Sequence, residues 1–316
     1  MTLLSKNNFR MKTLSKRNLF DVLRFRMRRF IYIKLTSKSC NLFFRGGDII
    51  SFAGLVEGVH EESLTNLICN FAENGFSDYL IDIGANIGLT SCQNGSLFKN
   101  VICFEPNPLC VNILKTNLAI SLSNDKFEIN EFALGECDGD FELHIPKHNW
   151  GGAFVRSESN SYSDQVLASK DGFNEINSKN YVVSTIQVKS TKDTFIEIFS
   201  ELERQGLKNG VIKIDVEGFE RVVLKGIFES LPSDFNLVIV FENWDENFDF
   251  DELKDVFTTR NIRLRKIEGS VSGMSHSKIY KLISLVFGRS DNHYLIPLDS
   301  ANSVAGDIVI EVLQTQ

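Results

Sequence analysis

Two pairs of strand-end acids and one glycine loop carry the chemistry that can be read from this chain. Asp82 ends a run of apolar residues, the loop Gly84-Ala85-Asn86-Ile87-Gly88 follows, and a second apolar run ends at Glu105, 21 residues beyond Gly84. A strand, a tight turn into a helix, and a second strand closed by a carboxylate is the arrangement that holds a nucleoside. The second pair lies further on. Lys213-Ile214-Asp215-Val216-Glu217 and Phe241-Glu242-Asn243 end two more apolar runs, with Asp215 and Glu242 27 residues apart. That interval suits a strand–helix–strand unit returning both acids to one sheet edge, where open α/β sheets bind ligands.

The loop suits a sulfonium nucleoside better than a dinucleotide. Asn86 stands where the dinucleotide fingerprint has its second glycine, so a side chain would crowd a pyrophosphate, and Asp82 would repel it. Against S-adenosylmethionine a carboxylate favours the cationic methionine end, and Glu105 can accept both ribose hydroxyls. An NAD-dependent enzyme acting on a nucleotide sugar is the weaker alternative. A non-catalytic, membrane-associated binding protein of the same fold is another.

The segments D-I-G-A-N-I-G-L-T-S, F-E-P-N-P, F-A-L-G, G-G-A and V-I-K-I-D-V-E-G-F-E resemble the successive motifs of the FkbM family of methyltransferases, over about residues 79–243. The resemblance implies a seven-stranded class I methyltransferase fold, S-adenosylmethionine as donor, and O-methylation of a hydroxyl on a glycan, glycolipid or related metabolite. It also implies that Asp82, Gly84, Asn86, Gly88 and Glu105 line the cofactor, with Ala133 and Leu134 near the adenine. Lys192 departs from the family pattern, standing where an apolar residue is more usual.

Methyl transfer to a hydroxyl needs a base or a metal ion at the acceptor oxygen. In one reading Asp215 or Glu217 is the general base, helped by His148 from a polar segment. In the other, Asp215, Glu242 and Asn243 hold a hard divalent cation such as Mg²⁺. Glu220 is expected only to cap a helix. Trp150, beside Gly151 and Gly152, either offers a flat face to a sugar ring or anchors a tight turn.

The elements that must position these groups follow from periodicity. Apolar runs of strand length at Tyr79–Ile83, Val101–Glu105, Phe127–Leu134, Val211–Val216 and Leu237–Phe241 alternate with helical spacing over Glu62–Glu73, from Pro108, over Phe195–Leu202 and around Val222–Ile227. This pattern predicts a doubly wound, mainly parallel, Rossmann-like α/β sheet. Phe141–Ile145 alternates as a half-exposed antiparallel strand, residues 147–180 lack periodicity, and Phe250–Thr259 has helical spacing. Further strands are expected at Tyr181–Lys189, Ile262–Ile267, Tyr294–Leu298 and Asp307–Leu313.

The 316 residues divide into a basic amphipathic extension, 1–45, and one methyltransferase-like domain, 46–316. The extension holds twelve Lys and Arg against the single Asp21, although the whole chain has a formal charge of −7. An acidic body argues against nucleic acid as a partner. Residues 17–35 place Phe20, Leu23, Met27, Phe30 and Ile31 at helical spacing among arginines. That is the pattern of a helix lying on an anionic membrane, or of one packed against the body. The six cysteines form no CxxC pair, and neither a signal peptide nor a membrane-spanning run is found, so a cytoplasmic enzyme, peripheral to the inner membrane face, is expected.

Overall fold

The computed structural model describes residues 19–36, 40–56, 58–244, 248, 250, 260–270, 292–298 and 306–314. Helices α1 (Leu19–Leu35), α2 (Ile49–Val56) and α3 (Glu62–Glu73) lead into an alternation of β1 (Tyr79–Ile83), α4 (Leu89–Asn94), β2 (Asn100–Phe104), α5 (Pro108–Ser121) and β3 (Phe127–Asn130). Then come β4 (Ala133–Gly135), β5 (Gly139–Pro146), β6 (Phe154–Val155), α6 (Asp164–Lys170) and β7 (Tyr181–Ser190). The alternation resumes with α7 (Thr191–Arg204), β8 (Asn209–Ile214), α8 (Glu220–Ser230) and β9 (Asn236–Asn243), and β10 (Asn261–Ser270), β11 (Asn292–Pro297) and β12 (Gly306–Leu313) follow. The helix expected to run on from Phe250 lies outside the described residues.

The large sheet has the order β11-β10-β12-β9-β8-β1-β2-β3. The five strands from β9 to β3 are mutually parallel, and β12 runs antiparallel between β9 and β10. This is the doubly wound class I arrangement, widened from the expected seven strands to eight by β11 at the edge. A second sheet, β4-β7-β5-β6, was not foreseen. The apolar run Phe127–Leu134 divides between the two: Phe127–Asn130 pairs with β2, whereas Ala133–Gly135 pairs with β7. The polar stretch 147–180 also holds more structure than its composition suggests, namely β6, α6 and a 3-10 turn at Trp150–Gly152.

Strand alternation decides which helices each side chain meets. Tyr79, Ile81 and Ile83, with Ile212, Ile214, Ile239 and Phe241, pack on Phe195 and Phe199 of α7 and on Val223, Leu224 and Ile227 of α8. Leu80, Val101, Cys103, Val211, Val238 and Val240 pack on Ile68 and Phe71 of α3 and on Leu114 and Leu118 of α5. Asp82 and Lys213, paired in register, therefore share the α3 side of the sheet, and Glu242 follows Val240 to that side. Asn243 follows Phe241 to the other.

The N-terminal extension is not uniform. The helix expected over 17–35 is α1, and its large apolar side chains from Phe20 to Leu35 are exposed rather than packed on the body. The body's packing begins before residue 46. Phe43 exchanges backbone hydrogen bonds with the Asn117 amide, and Asp48 accepts from the Ile50 N–H at the start of α2.

Candidate active site

The loop after β1 turns on Gly84, whose φ is +79°. A Cβ there would lie 1.9 Å from the Asp215 carbonyl oxygen, so only glycine lets β1 and the β8 end approach this closely. The Gly84 and Ala85 N–H groups both donate to the Phe104 carbonyl, which fixes the loop against β2. Glu105, just past β2, then accepts from the Asn86 N–H at 2.6 Å and from the Asn107 N–H at 2.8 Å, one at each carboxylate oxygen. Each oxygen keeps a lone pair for a further donor. Burial pushes this carboxyl up to about 7, against the pull of the two amides.

A cavity opens beside Glu105, with Phe132, Leu134, Phe141, Leu143, Val155 and Val188 among its walls. Most of these come from the second sheet. An apolar slot of this kind beside a carboxylate with spare lone pairs fits an adenosine: the purine among apolar groups, the ribose hydroxyls toward Glu105. Ala133 and Leu134, carried by β4, line this slot.

A second cleft adjoins the first and shares Gly84, Asn86, Gly151 and Asp215 with it. Its walls are charged. His60 and Glu61 enter before α3, Lys170 from the end of α6, Lys213 from β8, Glu217 from the loop after β8, and Glu242 and Trp244 from the end of β9. Three non-glycine residues among the described ones have positive φ, Glu61 at 46°, Asn86 at 52° and Glu217 at 51°, and all three line this cleft. Backbone strain of this kind persists where the surroundings enforce it, often at functional sites.

Lys213 sits at the centre of the charges. Its Nζ lies 3.1 Å from Asp215, 3.3 Å from the Gly84 carbonyl and 3.8 Å from Asp82. Burial opposes its charge, yet Asp215, Asp82 and Glu61 hold it well above the ordinary lysine range. Burial likewise opposes the charge of Asp215, but Lys213 and Lys170 more than offset it and keep that carboxyl low. Lys170 pairs with Glu217 and stands 3.6 Å from Glu242, with its ammonium 4.8 Å from the Trp244 ring centre. Burial pushes His60 down to about 4, with Lys213 adding to the effect, so its imidazole is neutral at physiological pH.

Several expected site residues are placed elsewhere. Asp82 is 0% exposed and lines neither cleft, because strand alternation turns it beneath the loop, where it accepts from Ser91 Oγ at 2.6 Å and faces Lys213. Gly88 is also outside both clefts. It starts α4 at φ +86°, and a Cβ would strike Leu114 at 2.7 Å, so it serves packing rather than binding. His148 turns away from the acids, with Nε2 3.1 Å from the Asp171 carbonyl and its ring edge-on to Phe173.

The Mg²⁺ set of Asp215, Glu242 and Asn243 does not assemble. Adjacent strand residues point to opposite faces, so Asn243 leaves the cleft that Glu242 enters, and the Lys170 ammonium already stands among the carboxylates. Among the described residues no group of three acids, histidines or cysteines is disposed to hold a metal ion. Glu220 does not cap α8, the role expected of it, but braces the loop before it, accepting from the Val216 and Gly218 N–H groups.

Trp150 anchors a turn. Its N–H donates to Asp48, its carbonyl accepts from Asn107, and the Arg45 guanidinium lies 3.8 Å from its ring centre. The residues that sequence reasoning missed are His60, Glu61, Lys170, Lys213 and Trp244. Lys213 alone left a signal, as a charge inside an otherwise apolar strand.

Comparison with known proteins agrees with this geometry. The model described as the methyltransferase FkbM domain matches residues 82–265, further toward the C-terminus than the motifs alone had suggested. A curated relative, the methyltransferase sdnD of Sordaria araneosa, is 26% identical over 196 residues, covering 59% of this chain and 74% of the relative. Among solved structures, precorrin 8W decarboxylase of Methanobacterium thermoautotrophicum matches at 10% identity and a TM-score of 0.38, over 80% of this chain and 90% of its own. Precorrin-6y C5,15-methyltransferase of Geobacter metallireducens matches at 8% identity and a TM-score of 0.36, over 81% and 93%. Likeness at that level carries no weight for activity.

Proposed function

The chain belongs to the FkbM family of S-adenosylmethionine-dependent methyltransferases, and from that premise we propose that it methylates a hydroxyl of a polar acceptor of the glycan or glycolipid class. The observation that carries this reading is the junction of the two clefts at Gly84, Asn86, Gly151 and Asp215. The apolar cleft with Glu105 suits the adenosine of the donor. S-adenosylmethionine supplies an electrophilic methyl group on a sulfonium, and the junction is where such a group meets the charged cleft.

On the acceptor side Asp215 is the group at the junction. Lys213 holds its carboxylate ionised and oriented, so it can receive the proton of an acceptor hydroxyl as the oxygen becomes methylated. Lys170, Glu217, Glu242 and His60 offer a dense set of hydrogen-bond partners, as a polyhydroxylated acceptor requires. Trp244 is 49% exposed, and its ring, with Lys170 on one face, offers such an acceptor an apolar surface to stack on.

The test uses methyl-labelled donor and a panel of oligosaccharide, amine and carboxylate acceptors. Label should appear on a hydroxyl oxygen. Asp215→Asn should lower kcat by about 10²–10⁴-fold, the span of a lost general base, while S-adenosylhomocysteine still binds. Label on nitrogen or carbon, or an undiminished kcat in Asp215→Asn, would contradict the proposal.

A further inference from the structure

Helix α1 (Leu19–Leu35) is the most apolar exposed surface of the described chain. Phe20, Leu23, Phe25, Met27, Phe30, Ile31, Tyr32, Ile33 and Leu35 are all exposed, Phe20 by 85%, whereas exposed large apolar residues elsewhere are scattered. Scattered ones need no explanation, but a contiguous set marks a surface with a partner. The same 17 residues carry Arg24, Arg26, Arg28, Arg29 and Lys34 against Asp21.

The spacing says what kind of partner. At 100° per residue Phe20, Leu23, Met27, Phe30 and Ile31 share one side of the helix, with Arg24 at its edge and Arg28 and Arg29 off it. Arg26 and Lys34 fall among the apolar residues, where long stems can lie along an apolar layer while the charged heads reach water and phosphate. A protein groove would receive a narrow stripe and leave these two cations in its wall. A bilayer surface accepts a broad apolar sector set among cations. Five cations and Asp21 among its 17 residues make the helix too polar to span a hydrocarbon core. No helix among the described residues is long and apolar enough to cross a membrane.

We infer that α1 lies in the headgroup layer of an anionic bilayer, its Phe20–Leu23–Met27–Phe30 side down, holding the enzyme body at the membrane surface. The lipid-facing element is separate from both clefts, so this docking is independent of the acceptor's identity.

Flotation of the full chain with vesicles of phosphatidylcholine, with and without phosphatidylglycerol, tests the inference. Wild type should float with the anionic vesicles only, and less so at high salt. Replacing Arg24, Arg28 and Arg29 by Gln together should weaken partitioning on the order of a hundredfold, at about 1 kcal/mol per basic residue near the surface. Phe20→Ser with Phe30→Ser should abolish flotation. Undiminished S-adenosylhomocysteine binding by both variants would show that their bodies are folded. Wild type that never floats, or variants that float as wild type does, would overturn the inference. So would a lipid-free dimer broken by the two Phe substitutions in a chain that ignores vesicles, since α1 would then meet a second copy.

Discussion

Glu105 is held by two backbone N–H groups and by burial, and these act in opposite directions. Burial wins, and the carboxyl is pushed up to about 7. The ionised form alone offers acceptors at both oxygens to a pair of ribose hydroxyls. The sign follows directly: as pH falls through about 7 the group gains a proton and donor binding weakens. The Kd of S-adenosylhomocysteine should therefore rise between pH 8 and pH 6, as read by calorimetry, and a flat profile would remove Glu105 from that role. Glu105 was legible in the sequence because an acid ending an apolar run after a glycine loop has few other uses. Asp82 looked equally legible and was misplaced. Its position at the strand's end was right, but alternation within β1 sends it to the side of Leu80, under α4.

At the scale of elements, the parallel strands and their helices were readable because each alternates apolar faces over a length its neighbours match. The second sheet was not. β4 continues the apolar run of β3 without punctuation, and β6 is two residues long, so neither leaves a period of its own. Lys170, His60 and Trp244 were hidden for a related reason. They come from α6, from before α3 and from after β9, and only the fold brings them together.

The segment ahead of α2 acts on the site through Arg45, which lies over the Trp150 ring, and through Asp48. Asp48 accepts from the Ile50 N–H, from Arg45 and from the Trp150 N–H, and Trp150 is part of the first cleft's wall. Asp48→Ala should cost about 2–4 kcal/mol in urea unfolding, the value of a helix cap together with a lost charged hydrogen bond. It should also weaken S-adenosylhomocysteine binding several-fold. Unchanged affinity would show that the cleft wall stands without Asp48.

The whole molecule divides its charge by task. A basic helix stands apart from an acidic body, and within the body the carboxylates of the second cleft are matched by Lys170 and Lys213 rather than by a metal site. The first cleft is walled mainly by apolar side chains, with Glu105 among its few charged groups, and the two meet at Asp215. Donor and acceptor are thus assigned to different surfaces that share one edge, and that assignment is the centre of the account. Calorimetric titration of S-adenosylhomocysteine into wild type, Glu105→Ala and Asp215→Asn tests it most directly. The account predicts tight binding to wild type, a loss of at least about tenfold in Glu105→Ala for two charged hydrogen bonds, and near-native affinity in Asp215→Asn. Full affinity in Glu105→Ala would contradict it, because the donor would then lie somewhere other than the cleft beside β2.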